Sequence, residues 1–236
     1  MELLEAVKMR RSIRAFKPDP VPKEIILELL GVATRAPSGV NSQPWEFFII
    51  SGKTLNNVRQ AYVEQYRAGI VPNPDVTIPK VGKLAPKLQG VYKERQILLA
   101  KQIYDVYGIT KENTKALHEY NESMYRFFDA PAILVIVFDR MLSGGWPILD
   151  IGSVAQTTAL GAQAFGLGTC IMRAIVDFPT ELRKQVGIPD SKQIIVGIAI
   201  GYPDWNHPVN QLKTEREALE KIVTFSLLSV KLNAKR

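Results

Sequence analysis

Apolar positions along the chain switch between helical spacing and unbroken strand-like runs. Leu3, Leu4 and Val7 share one face of a helix expected over residues 2–10. Pro18, Pro20 and Pro22 then make a stiff connector, and Pro22 suits the first position of the next helix. Ile25, Ile26, Leu29, Leu30 and Ala33 form its apolar stripe, which must stop before Pro37. Trp45 to Ile50 reads as a strand, and residues 53–67 as a helix. Two further helices are expected over 91–107 and 111–128. Ala132 to Phe138 is a continuous apolar run rich in β-branched residues, the pattern of a strand buried on both faces. Gly144 to Pro147 reads as a turn, with Asp150 capping a helix that starts near Ile151. Gly166-Leu167-Gly168 ends that helix and leads into an extended piece through Met172. A short helix from Pro179 to Val186 precedes a second buried strand, Ile194 to Ile200. A last short helix is expected from Glu215 to Lys221, before a tail that begins extended and ends basic.

This order defines an α+β class: a small, mainly antiparallel sheet flanked by helices on both faces. The strands do not alternate with single helices, so a doubly wound sheet is disfavoured. No Gly-x-Gly-x-x-Gly, P-loop or Gly-x-Ser-x-Gly occurs, which removes three common nucleotide-binding and hydrolase signatures. The chain reads as one unit over 1–236, with a largely helical insertion at about 70–128. Within it, residues 70–90 carry Pro72, Pro74, Pro79 and Pro86 with Lys80, Lys83 and Lys87. That stretch reads as a surface excursion, either a solvated loop or a lid.

Composition narrows the classes. Hydrophobic residues at 46% and charged residues at 22% over 236 residues suit one soluble domain. The single cysteine, Cys170, excludes an intramolecular disulfide framework, and His118 and His207 lack metal-ligand spacing, so no metal is expected. The acidic start has no signal-peptide pattern, and a cytoplasmic location is expected. The uncharged stretch Ile151 to Met172 contains Ser153, Gln156, Thr157, Thr158 and several glycines, so it reads as a helix buried in protein and not in lipid. The net charge of +7 comes from cations scattered among acids, which suits small anions better than nucleic acid.

Candidate chemistry begins at Arg10-Arg11-Ser12-Ile13-Arg14. Arginine binds phosphate through bidentate, charge-assisted hydrogen bonds, and Ser12 adds a donor. In an extended segment Ser12 and Arg14 point to the same side. A second informative stretch is the loop Ala36-Pro37-Ser38-Gly39-Val40-Asn41-Ser42-Gln43-Pro44, whose amides and hydroxyls can bond a flat heterocycle or a polyol.

Together with the turn at 166–172 and the late Arg216-Glu217-Ala218-Leu219-Glu220-Lys221, these motifs resemble the nitroreductase family of FMN-dependent flavoproteins. The resemblance spans about residues 1–225. It implies an intertwined homodimer with two FMN sites, each built from both subunits, and NAD(P)H as co-substrate. It also implies ping-pong reduction of nitroaromatics, quinones and similar flat, electron-poor acceptors. Carried over by position, Arg10 and Ser12 meet the FMN phosphate and ribityl end, with Arg11 contributing mainly backbone. Arg14 lies by the flavin pyrimidine edge. Pro37, Ser38, Gly39 and Asn41 come from the partner chain. Cys170, Ile171 and Met172 lie against the other flavin face, and Arg216 binds phosphate. Two departures stand out. Thr214 occupies the position two before Arg216 where the family often has lysine, with Lys213 adjacent. The turn near the flavin carries the neutral Ile171-Met172 where an acidic residue is familiar. Two alternatives remain open. One is a reductive dehalogenase of the same superfamily, using Glu112, Glu119, Glu122 and Arg126. The other is a flavin-binding protein without catalysis. Tyr92, Tyr104, Tyr107, Tyr120, Tyr125, Phe127 and Phe128 of the insertion are mainly core residues in this reading, with one or two walling the flavin slot.

Overall fold

The computed structural model describes residues 2–76, 88–142 and 144–225. Among these, four strands form one antiparallel sheet in the order β1-β2-β4-β3: β1 Glu46–Ser51, β2 Ala132–Asp139, β3 Gly168–Met172 and β4 Lys192–Gly201. β2 is central, which explains its unbroken apolar run. Alternate side chains of a strand point to opposite faces. Ile133, Val135 and Val137 therefore enter one core, while Leu134, Ile136 and Phe138 enter the other.

Helices cover both faces. The first core takes Leu55, Val58 and Tyr62 from α3 (Gly52–Arg67), Tyr120 from α5 (Thr114–Tyr125) and Leu182 from α7 (Pro179–Val186). The second takes Ile26, Leu29 and Leu30 from α2 (Lys23–Ala33), and Ile151, Val154 and Ala155 from α6 (Trp146–Gly161). Small residues on α6 let α2 come close: a Cβ at Gly161 would lie 2.9 Å from Leu29 Cδ1. The remaining helices are α1 (Leu3–Met9), α4 (Gly90–Tyr107) and α8 (Leu219–Ile222).

Four expectations need correction. α6 begins at Trp146, not near Ile151, because Pro147 fits the first helical turn, where its missing N–H costs nothing. Asp150 is therefore no cap. It is buried inside the helix, and its Oδ1 accepts the Gly39 N–H at 3.1 Å. The helix expected from 111 starts at Thr114, where the Asn113 side chain caps the Ala116 N–H at 3.2 Å. It ends at Tyr125, and Phe127, Phe128 and Asp129 adopt left-handed φ values of 59°, 53° and 54°. Arg59 of α3 clamps this turn: its Nε donates to Arg126 O at 2.9 Å and its Nη2 to Ala130 O. Pro22 lies just outside α2 as its N-cap residue. The last helix spans only Leu219–Ile222. Lys80, Lys83 and Lys87, and the end of the expected extended tail, lie outside the described residues.

Candidate functional site

The arginine motif forms an extended segment laid along the sheet. The Ile13 N–H donates to Thr169 O of β3 at 2.9 Å, and the Lys17 N–H to Tyr202 O at 2.8 Å. Ile13 faces the interior and is 2% exposed. Its approach depends on Gly168, where a Cβ would fall 2.5 Å from Ile13 Cγ1. Ser12 and Arg14, on the alternate side, both line a cleft. Asn210 pins the segment between the two strand contacts. Its Oδ1 accepts the Arg14 N–H, and its Nδ2 donates to Ala15 O and Asp204 O, each at 2.8 Å.

Arg14 lines three pockets, two of which make up the phosphate and ring compartments of the cleft. The smaller, about 160 Å³, is lined by Arg10, Arg11, Ser12, Arg14, Thr214 and Arg216 together with leucines. No carboxylate among the described residues lines it. Arginines and two hydroxyl residues around a space of this size suit a phosphate. The larger, about 370 Å³, is walled by Tyr120, Tyr125, Phe128, Cys170, Ile171 and Met172, among others. Its aromatic and sulfur-bearing walls suit a flat ring system.

Burial sets the electrostatics of the ring compartment. It pushes the Cys170 thiol up, against the opposing charge of Arg14, a hydrogen bond from Ser12 and the charge of Arg10. Burial also raises the Tyr120 phenol and, in the neighbouring pocket, the Tyr107 phenol to about 12, with Arg14 again opposing. The thiol and both phenols are neutral at physiological pH. Asp177, at the margin of the compartment, is raised by burial against the charge of Arg173. Cys170 has no base partner at hand, which fits a small buried residue better than a nucleophile.

The structure brings together Arg10, Arg11, Ser12, Arg14 and Arg216 around one compartment, and Cys170, Ile171 and Met172 around the other. The Arg11 guanidinium stacks 5.8 Å from the Trp205 ring centroid and donates to Met9 O at 3.2 Å. Lys213 is exposed and does not line the cleft, whereas its neighbour Thr214 does. Pro37, Ser38, Gly39 and Asn41 do not line the cleft. Their loop is tied to α6 through Asp150 and runs through left-handed φ values at Val40 (47°), Asn41 (60°) and Gln43 (45°), with Val40 fully exposed. Of the insertion aromatics, Phe127 is core, Tyr92 and Tyr104 are exposed against expectation, and Tyr107, Tyr120, Tyr125 and Phe128 all line pockets that include Arg14. His207 lines one of these pockets, while Trp146 lies exposed. Of the dehalogenase constellation, Arg126 contacts Glu122 at 3.2 Å and, outside it, Asp129 at 3.1 Å; Arg67 also holds Glu122, and Glu119 lies 3.8 Å from Lys115. Asn210 and Arg59 gave no sequence signal, because their bonds join segments far apart in the chain.

This fold and cleft match a known class. The chain belongs to the nitroreductase family: the family profile "Nitroreductase family" matches residues 7–202. It is 31% identical over 222 residues to a chloronitrobenzene nitroreductase of Comamonas testosteroni, covering 94% of this chain and 95% of that protein. Among solved structures, it resembles the FMN- and NADPH-dependent nitroreductase NfnB from sphigopyxis sp. strain HMH, with a TM-score of 0.87 and 26% identity over 96% of this chain and 99% of that one. It likewise resembles the FMN-dependent nitroreductase NfnB from Mycobacterium smegmatis in complex with NADPH, with a TM-score of 0.85 and 29% identity over 96% and 100% of the two chains. Among the described residues no helix is long and apolar enough to cross a membrane, and no cluster of His, Cys, Asp and Glu suits a metal.

Proposed function

We propose that this protein is an FMN-dependent reductase that takes hydride from NAD(P)H and reduces nitroaromatics, quinones and similar flat, electron-poor acceptors. The observation that carries this reading is the two-part cleft: an arginine-lined compartment joined through Arg14 to an aromatic one. Its charge and lining fit a phosphorylated flavin. FMN, when bound, supplies the hydride chemistry; the protein binds, orients and tunes it. Arg10, Ser12, Thr214 and Arg216 would hold the phosphate, with Lys213 adding long-range charge at the rim. Arg14 would stabilise negative charge on the pyrimidine edge, where each charge-assisted hydrogen bond contributes about 1.5–3 kcal/mol. Cys170, Ile171 and Met172 would support the ring, with a backbone N–H toward it.

Pro37, Ser38, Gly39 and Asn41 would complete the site of a second copy. An outward loop with Val40 fully exposed supports this reading, as does the exposure of Leu3, Leu4 and Trp146. A homodimer with shared sites follows, because neither protomer then holds a complete flavin site alone. The insertion at 70–128 would set acceptor access, since its α5 and the turn after it supply Tyr120, Tyr125 and Phe128 to the cleft wall. NAD(P)H and the acceptor would use one slot in turn. Initial rates with varied NADPH and varied nitrobenzene should therefore give parallel double-reciprocal lines. Intersecting lines would contradict the shared slot, and no acceptor-dependent NAD(P)H oxidation would contradict the activity.

A further inference from the structure

We infer that Asn210 is a positioning residue that fixes the placement of Arg14 by standing in for a missing strand. The N-terminal segment pairs with the sheet at Ile13, through Thr169, and at Lys17, through Tyr202. Between these contacts the Arg14 N–H faces no strand. The Asn210 side chain fills that place as a peptide unit would, with one carbonyl accepting and one amide donating. Its Oδ1 accepts from Arg14, and its Nδ2 bridges Ala15 O and Asp204 O. Asn210 is fully buried, with 0% exposure, so water cannot replace these bonds. Its own turn, Pro208–Gln211, is braced in advance: His207 Nδ1 accepts the Val209 N–H at 3.2 Å, and the Asn210 N–H donates to His207 O at 3.1 Å. The result is a rigid base directly beneath the arginine that both compartments share. No other side chain matches this donor and acceptor set at the same length. Leucine lacks it, glutamine is longer, and ionised aspartate would face two carbonyls without a donor.

This inference rests on the reading of Arg14 as the residue at the flavin edge. The test is a double-mutant cycle of Asn210→Ala and Arg14→Ala, reading melting temperature, FMN dissociation constant and the midpoint potential of bound FMN. Asn210→Ala should weaken FMN binding and its preference for the reduced form about tenfold, as expected for losing a buried hydrogen-bond partner. In the Arg14→Ala background the same change should alter that preference less than about twofold, because no guanidinium remains to be misplaced. A fall in melting temperature with the potential unchanged would overturn the proposal, as would equal effects on the potential in both backgrounds. An Arg14→Ala variant with wild-type affinity and potential would remove the Arg14 reading itself, and this proposal with it. Should Asn210→Ala fail to fold, Asn210→Asp serves. A protonated carboxyl restores one donor, so its FMN affinity relative to wild type should improve as pH falls. Arg11, Arg14, Asp204 and His207 surround the position, and the ratio to wild type removes their own titration. A ratio independent of pH would overturn the proposal.

Discussion

Gly168→Ala acts at the place where the arginine segment meets the sheet. The added Cβ would lie 2.5 Å from Ile13 Cγ1 and 2.7 Å from Pro203 Cγ. Carbon atoms in good contact sit about 3.5–4.0 Å apart, so the surfaces must separate by about 1 Å. Ile13 has little room to retreat: it is buried, and its N–H bonds Thr169 O at 2.9 Å. Overpacking of this kind costs about 1–3 kcal/mol. Stretching the Ile13 hydrogen bond adds up to about 1 kcal/mol. At about 2–4 °C per kcal/mol for a chain of this size, a total of about 1–4 kcal/mol lowers the melting temperature by about 2–16 °C. Arg10, Ser12 and Arg14 ride on the displaced segment, so FMN affinity should fall by about tenfold or more. Differential scanning fluorimetry and fluorescence titration with FMN measure the two effects. Gly152→Ala is the control: it lies on α6 with no atom within 4 Å of its added Cβ, so it should leave stability equal or slightly higher. A Gly168→Ala protein with the melting temperature and FMN affinity of wild type would refute the close approach as the basis of the site.

Three other perturbations probe separate parts of the account. Arg14→Ala should weaken FMN binding and slow flavin reduction, each by about tenfold or more, from loss of one charge-assisted contact; stopped-flow reduction at wild-type rate would refute its role. Arg59→Met removes the guanidinium donor from the carbonyls of Arg126, which keeps only the Asp129 N–H, and Ala130, and releases a turn of left-handed, non-glycine residues. It should destabilise the protein by about 2–4 kcal/mol in urea unfolding, with Arg59→Lys intermediate. Burial would raise the Asp75 carboxyl, but hydrogen bonds from Arg183 and the Ile194 N–H, with the charges of Arg183 and Arg140, outweigh it and hold Asp75 below the usual carboxylate range. A depressed folded-state pKa gives stability that is present above the unfolded value and lost as pH falls through the folded one. The stability gap between wild type and Asp75→Asn should thus be widest near neutral pH and narrow as pH falls below about 4 and through the folded value. A gap that widened toward acid would show the sign to be wrong.

Local signals carried most of the secondary structure. The unbroken run of β2 announced a strand between two helical layers, and alternation placed Ser12 and Arg14 on one side of an extended segment. Asp150 was misread because an acid before an uncharged run looks like a cap, while Pro147 had already opened the helix one turn earlier. The left-handed turn at 127–129 had no glycine to mark it, since Arg59 stabilises it from another helix. Asn210 was illegible for a related reason. Its partner Arg14 lies 196 residues away, and a single asparagine after His207-Pro208 carries no periodicity. The loop from Pro37 to Asn41 has a ligand-binding composition, yet in the structure it is tied to α6 through Asp150. Contacts across the sheet are set by tertiary geometry, which no short window of sequence encodes.

The most direct test of the central claim is the visible spectrum of the purified protein, followed without oxygen as NADPH and then NADH is added. The account predicts flavin absorption bands that bleach with a reduced nicotinamide and return when a nitroarene is supplied. A colourless protein that takes up no added FMN would contradict the assignment of Arg10, Ser12, Arg14 and Arg216 to a flavin site. A yellow protein that stays oxidised with both donors would contradict the reductase activity.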